Sequence, residues 1–261
     1  MAAINSNDGS CRRALRHILA RGDIDAGLEV WSARDMGGMA MPKNDDVPAE
    51  YSSPACMLHE IDPAYAGLAP PEPPEGVPAW RKAQREVRIA ARLSIPAETR
   101  TLYAQAIADA LDRELGDVAG RTISLYWPFR GEPDLRCWLE RVTDRGATCL
   151  LPIVVEKHQP LIFRSWKQGE KLDRGIWNIP IPAEGRQMLP DIVLSPLVGF
   201  DDRLYRLGYG GGFFDRTLAA HPGKPLVIGV GYSSQHMPTI HPQRHDIPMS
   251  RIITEKGLWR P

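Results

Sequence analysis

From residue 80 onward apolar positions fall into a helical rhythm. Segments 80–93 and 97–115 repeat them at three- and four-residue intervals, the spacing that lays one helix face against a core. The rhythm then changes. Short apolar, β-branched runs at 122–127, 147–155, 161–166, 191–195 and 225–232, with a shorter one at 251–254, predict strands. Helices are expected at 134–144 and just after Gly212. Strands alternating with helices predict an α/β domain of three layers, a largely parallel central sheet flanked by helices. Ligands of such sheets collect beyond the carboxyl ends of the strands, which singles out 196–215, directly after the strand at 191–195.

The first 78 residues show no comparable order. Segment 11–31 admits a helix, whereas 34–49 is rich in glycine, methionine and charge without a sustained period. Segment 69–78 reads Ala-Pro-Pro-Glu-Pro-Pro-Glu-Gly-Val-Pro, an extended linker. The expected division is therefore an N-terminal extension with a proline-rich linker, 1–78, and an α/β domain, 79–261.

Charge narrows the function. Lys+Arg and Asp+Glu balance at 32 each, so a general nucleic-acid or anionic-membrane binder is excluded, while a local basic pocket is not. The first residues carry no basic stretch followed by an apolar one, and no later apolar run is long enough to span a bilayer. A cytoplasmic protein is expected. No Cys-x-x-Cys pair offers a thiolate zinc site. His59, Glu60, Asp62 and Cys56, and separately His236, His241 and His245, carry metal-capable atoms. Pro238 and Pro242 interrupt any helix through the latter set, so loop and hydrogen-bonding roles are expected.

The densest chemistry lies at Arg206-Leu207-Gly208-Tyr209-Gly210-Gly211-Gly212-Phe213-Phe214-Asp215-Arg216. Four glycines, two arginines and one carboxylate occupy this stretch before an expected helix. Glycines let backbone N–H groups close on an anion, a helix start adds its positive dipole end, and arginine supplies a fork for phosphate. The spacing matches neither the Walker pattern nor the dinucleotide fingerprint. A tight strand-to-helix turn is the plain alternative.

Other segments accompany this loop. Tyr126-Trp127-Pro128 and Gly131-Glu132-Pro133-Asp134 precede it, as does Trp177-Asn178-Ile179-Pro180. Pro196-Leu197-Val198-Gly199-Phe200-Asp201 leads into it, and Gln235, His245-Asp246 and Thr254-Glu255 follow. Together, from Trp80 to Glu255, they resemble the 5-formyltetrahydrofolate cyclo-ligases, also called methenyltetrahydrofolate synthetases. The resemblance implies that Arg206 to Gly212, extended by Phe213 and Phe214, binds ATP phosphates, with Arg206 catalytic. It implies that Asp215 and Asp246 hold magnesium, and that Glu132 and Trp177, with Tyr209 and Phe213 beside them, contact the folate. Arg81 and Arg85 match a lysine and an arginine four apart on the family's first helix. Arginine at 81 is a departure, and Lys82 offers a second register. Phe213 and Phe214 stand where the family shows tyrosines.

The bland readings are a solvated basic helix face for Arg81 and Arg85, pairing with Arg216 for Asp215, a turn residue for Asp246, a helix-start acid for Glu132 and a core indole for Trp177. The implied activity is ATP- and magnesium-dependent cyclisation of 5-formyltetrahydrofolate to 5,10-methenyltetrahydrofolate, with release of ADP and phosphate. A paralogue acting on a different formamide or amide, and a non-catalytic nucleotide or folate binder, are the rival expectations. A monomer is the simplest assembly.

Overall fold

The computed structural model describes residue 73 and residues 75–260, all within the compact unit Gly67–Pro261. The helix expected at 11–31, the irregular 34–49 segment, the metal-capable set around His59 and half of the 69–78 linker lie outside the described residues.

Helix α1 (Val77–Ser94) follows Gly76, with a proline in its first turn where a missing N–H is harmless. Pro96 ends it: the residue before a proline is pushed out of helical geometry, and Ile95 is extended at φ −66°, ψ 125°. Pro96 then opens α2 (Ala97–Leu115), which stops at Gly116 with φ 59°. α2 buries Ala104, Ile107, Ala108 and Leu111, the i, i+3, i+4, i+7 stripe of an amphipathic helix.

Strands β1 (Thr122–Ser124), β2 (Thr148–Ile153), β6 (Ile192–Pro196), β9 (Leu226–Val230) and β10 (Arg251–Thr254) form a parallel core. β3 (Ile162–Ser165) and β11 (Gly257–Leu258) add antiparallel edges, giving the order β11-β10-β9-β6-β1-β2-β3. Alternate side chains build the two faces. Ile123, Ile192, Leu194, Ile228, Val230 and Ile253 pack with α2 and with α3 (Arg136–Asp144), which contributes Trp138, Leu139 and Val142. On the opposite face Val193, Val227 and Ile252 meet Phe214 and Leu218 of α4 (Phe213–Ala220). The three-layer, largely parallel α/β architecture is therefore as expected. Among the described residues no helix is long and apolar enough to cross a membrane.

Differences from the expected elements are local. The strand expected at 122–127 ends at Ser124 because the chain turns away into the loop that holds Pro128 and Glu132. Two small hairpins lie beyond what the apolar pattern predicts, β4 (Leu172–Arg174) with β5 (Pro180–Pro182) and β7 (Gly199–Phe200) with β8 (Arg206–Leu207). Strands of two or three residues are too short for a period to register, and prolines in β5 are tolerated because its ladder has only one partner.

Candidate active site

From β1 the chain steps to β2 on one side, and from β6 to β9 and β10 on the other. The strand order therefore reverses at the neighbours β1 and β6, and the loops leaving their carboxyl ends diverge into a crevice. A pocket of about 490 Å³ occupies it. Its walls come from the loop after β1, the end of β6, the 206–215 segment, the 176–181 segment and α1.

One half is polar. The segment from β8 to α4 turns through Gly210 at φ 94° and Gly212 at φ 63°, conformations that side chains rarely adopt. A Cβ at Gly210 would also sit 3.3 Å from the Arg85 guanidinium carbon. Gly212 opens α4 without a side-chain cap, so the first-turn N–H groups are left for a ligand. Arg206 is buried; its Nη2 donates to Asp215 Oδ2 at 2.9 Å, and its guanidinium lies 4.9 Å from the Phe214 ring centre. The buried Arg206 Nε has no partner among the described residues. Burial pulls this guanidinium below its ordinary pKa, against the opposing charges of Asp215 and Asp246. A desolvated cation with a spare donor suits an anion.

Helix α1 completes this half in a way its composition disguises. Arg81, Arg85, Arg88 and Arg92 recur at i, i+4, i+7 and i+11, one stripe of the helix. Instead of facing water, the stripe binds the loops. Arg81 donates to the carbonyls of Ile240 (3.0 Å) and His241 (3.1 Å) and pairs with Asp246. Arg85 Nε donates to the Gly208 carbonyl at 2.7 Å. Arg88 reaches the carbonyls of Ser234 and His236. Arg92, 1% exposed, donates to the carbonyls of Arg130 (2.9 Å) and Leu197 (3.1 Å) and to the Tyr209 hydroxyl (2.6 Å). The solvated-face reading of these arginines is overturned.

The other half is aromatic around one acid. Glu132 is 6% exposed; it accepts the Phe129 N–H at 2.9 Å and the Tyr209 O–H at 2.8 Å. Burial pushes its carboxyl up to about 7, while the nearby Arg92 charge and these two hydrogen bonds pull the other way. Across the pocket Trp177 is 58% exposed, with φ 57° and an edge-on contact to Phe213 at 5.7 Å. An exposed indole held in a left-handed backbone conformation is not a core residue.

This geometry sets an arginine-rich glycine cradle against an acid and an indole in one cavity. The model of the 5-formyltetrahydrofolate cyclo-ligase family matches residues 78–255. The chain belongs to that family. The Escherichia coli K12 cyclo-ligase is 29% identical over 149 residues, covering 54% of this chain and 82% of that protein. The Mycolicibacterium smegmatis cyclo-ligase is 27% identical over 187 residues, 69% of this chain and 95% of its own. The Aquifex aeolicus 5,10-methenyltetrahydrofolate synthetase structure superimposes with a TM-score of 0.61 at 27% identity, covering 69% of this chain and 92% of that one.

Within this cyclo-ligase fold, Glu132, Trp177, Arg81, Arg85 and every residue from Arg206 to Asp215 line the pocket, as does Asp246. Lys82 is exposed and does not line it, whereas Arg81 does. Asp215 pairs with Arg206 rather than Arg216, which donates to the Gly211 carbonyl at 2.6 Å. His236 and His241 are occupied elsewhere, with Asp202 at 2.9 Å and Trp80 at 4.7 Å, whereas His245 reaches the pocket wall. Sequence reasoning gave Tyr126, Phe129 and Arg130 no place in the pocket wall and missed the anchoring role of Arg92. The last had a signal, since an arginine stripe at helical spacing is visible, but apart from the Tyr209 hydroxyl its partners are backbone carbonyls, which leave no mark in a sequence.

Proposed function

We propose that this chain uses ATP to cyclise 5-formyltetrahydrofolate to 5,10-methenyltetrahydrofolate, releasing ADP and phosphate. The observation carrying the reading is the continuity of the two halves of the pocket, a phosphate cradle that opens directly onto a carboxylate and an exposed indole. A pterin meets the second half on both counts, because its amino-pyrimidinone edge donates a paired hydrogen bond to a carboxylate and its ring stacks on indole.

The chemical obstacle is the formamide oxygen, a poor leaving group. Transfer of the γ-phosphoryl group to that oxygen converts it into a good one. N10 then closes on the activated carbon, its proton is lost, and the former formyl oxygen departs in phosphate. Arg206, Arg85 and the loop N–H groups neutralise charge on the transferring group, so catalysis is positioning and electrostatics without a protein nucleophile. Purified protein incubated with ATP, magnesium and 5-formyltetrahydrofolate should form the methenyl product. ATP hydrolysis without it would sink the reading.

Magnesium fits the donor set. Asp215 Oδ1 has a long contact to the Ile247 N–H (3.3 Å), and Asp246 Oδ1 has long ones to Arg81 Nη1 (3.4 Å) and His245 Nε2 (3.9 Å), leaving lone pairs in the pocket wall. Among the described residues no cluster of three or more metal-ligating side chains exists, which suits an ion held by two acids, phosphate oxygens and water. Bound there, it would screen the phosphates. Asp246 also holds Arg81 and accepts the Gln243 N–H at 2.6 Å. Asp246→Asn should therefore raise the magnesium concentration needed for half-maximal rate by about tenfold. Coincident titrations of variant and parent would leave Asp246 a tether for Arg81 alone.

We take the enzyme to be a cytoplasmic monomer whose catalytic domain is the C-terminal unit. Because α1 already starts at Val77, whose side chain is buried, a variant beginning at Pro73 should fold and cyclise where one beginning at Ala79 loses the helix start. Equal thermal unfolding of the two truncations would refute that boundary.

A further inference from the structure

The Tyr209 side chain bridges the two halves of the pocket. It belongs to the glycine-rich loop, yet its hydroxyl donates to Glu132 Oε1 at 2.8 Å and accepts from Arg92 Nη2 at 2.6 Å. The neighbouring peptide is gripped separately, since Arg85 Nε holds the Gly208 carbonyl at 2.7 Å and its guanidinium packs against Gly210. Arg92 is itself anchored, with Nε on the Arg130 carbonyl and Nη1 on the Leu197 carbonyl. Those carbonyls belong to the loop after β1 and the end of β6, the two sides of the crevice. The phenol is thus the link by which a shift of residues 208–212 reaches the acid.

We infer that Tyr209 is a positioning residue that couples the two substrates: nucleotide seated on the glycine-rich loop fixes the phenol, and the phenol fixes Glu132 in the orientation that receives the pterin edge. This rests on the function proposed above. Coupling of this kind is reciprocal, so folate should tighten nucleotide binding by the factor with which nucleotide tightens folate binding.

The groups facing Glu132 support a specific effect of the hydroxyl. Arg92 from α1 is the cation acting on it. Tyr126, beyond β1, is held on the Pro133 carbonyl at 2.9 Å, and Tyr232, beyond β9, on the Gly131 carbonyl at 3.1 Å. Both are therefore neutral neighbours whose hydrogens point away from the acid. Without the Tyr209 hydroxyl, Glu132 keeps only the Phe129 N–H, and its buried charge loses a donor.

Tyr209→Phe tests this because it keeps the ring and its packing near Phe129 while removing the bridge. Carbon-13 NMR of the Glu132 carboxyl in ligand-free full-length protein should show its titration midpoint moving up by about one pH unit. The KM for 5-formyltetrahydrofolate at pH 7 should rise about tenfold, and nucleotide affinity measured without folate should fall far less than that. The tightening of nucleotide by folate should disappear. An unchanged Glu132 titration, or nucleotide affinity that falls as far as folate affinity, would overturn the inference, the second outcome making the phenol a nucleotide contact. If the parent forms no methenyl product, the function reading fails on its own, and the Glu132 titration still judges the bridge.

Discussion

Arg206→Ala should lower kcat/KM for ATP by about ten- to a hundredfold, the value of a charge-assisted contact in a desolvated site. The side chain is buried, has a buried donor at Nε without a partner among the described residues, and balances its charge against Asp215 and the neighbouring Asp246. A guanidinium in that position is poised for a phosphate that brings both charge and acceptors. Truncation has a second consequence: Asp215 loses its buried partner, which destabilises the protein independently of catalysis. Arg206→Lys separates the two effects. Lysine keeps a cation for Asp215 but not the fork, so thermal stability should stay near that of the parent while ATP use falls about tenfold. Calorimetric titration with a non-hydrolysable ATP analogue, read beside the unfolding temperature, makes the comparison. Unchanged nucleotide affinity in both variants would remove Arg206 from the phosphate site.

How far these residues can be read in advance depends on what each one touches. The stripe Ala104, Ile107, Ala108, Leu111 announces α2, because an apolar face repeats with the helix. The glycine-rich loop is equally plain, since positive φ at Gly210 and Gly212 demands a residue type that shows in the sequence. Glu132 and Trp177 become legible only through a resemblance, as nothing local distinguishes a pocket acid from a helix-start acid. The Arg81-to-Arg92 stripe is visible as a pattern and misleading as an environment. Basic residues at helical spacing ordinarily face water, and only the tertiary path of the 197, 208, 236 and 240 segments brings carbonyls over them. That Arg81 and not Lys82 lines the pocket likewise depends on which way α1 is rotated.

Glu132→Gln should damage folate use about a hundredfold while leaving nucleotide affinity nearly intact. The amide keeps the shape but turns one acceptor into a donor, and the pterin edge it must meet is itself made of donors. The same substitution should not weaken the protein at pH 8. Glu132 is raised by burial to about 7 in the folded state, from an ordinary 4.5. The folded chain therefore holds a proton between those values that the unfolded chain has released. Stability contributed by the protonated acid is complete below about pH 4.5, falls as pH rises toward 7, and is gone above it, a loss of up to ~3 kcal/mol. The substituted amide carries no charge to bury, and its oxygen can still accept the Phe129 N–H. The variant should consequently melt at least as high as the parent at pH 8 and lose the parent's decline between pH 4.5 and 7. Substrate binding in the parent has the opposite slope, because the pterin edge requires the ionised form; its KM for 5-formyltetrahydrofolate should fall as pH rises through about 7. A carboxylate kept at a cost to stability fits the folate contact proposed for it. Folate KM values that are equal in variant and parent across that pH range would instead make Glu132 a support for the Phe129 turn.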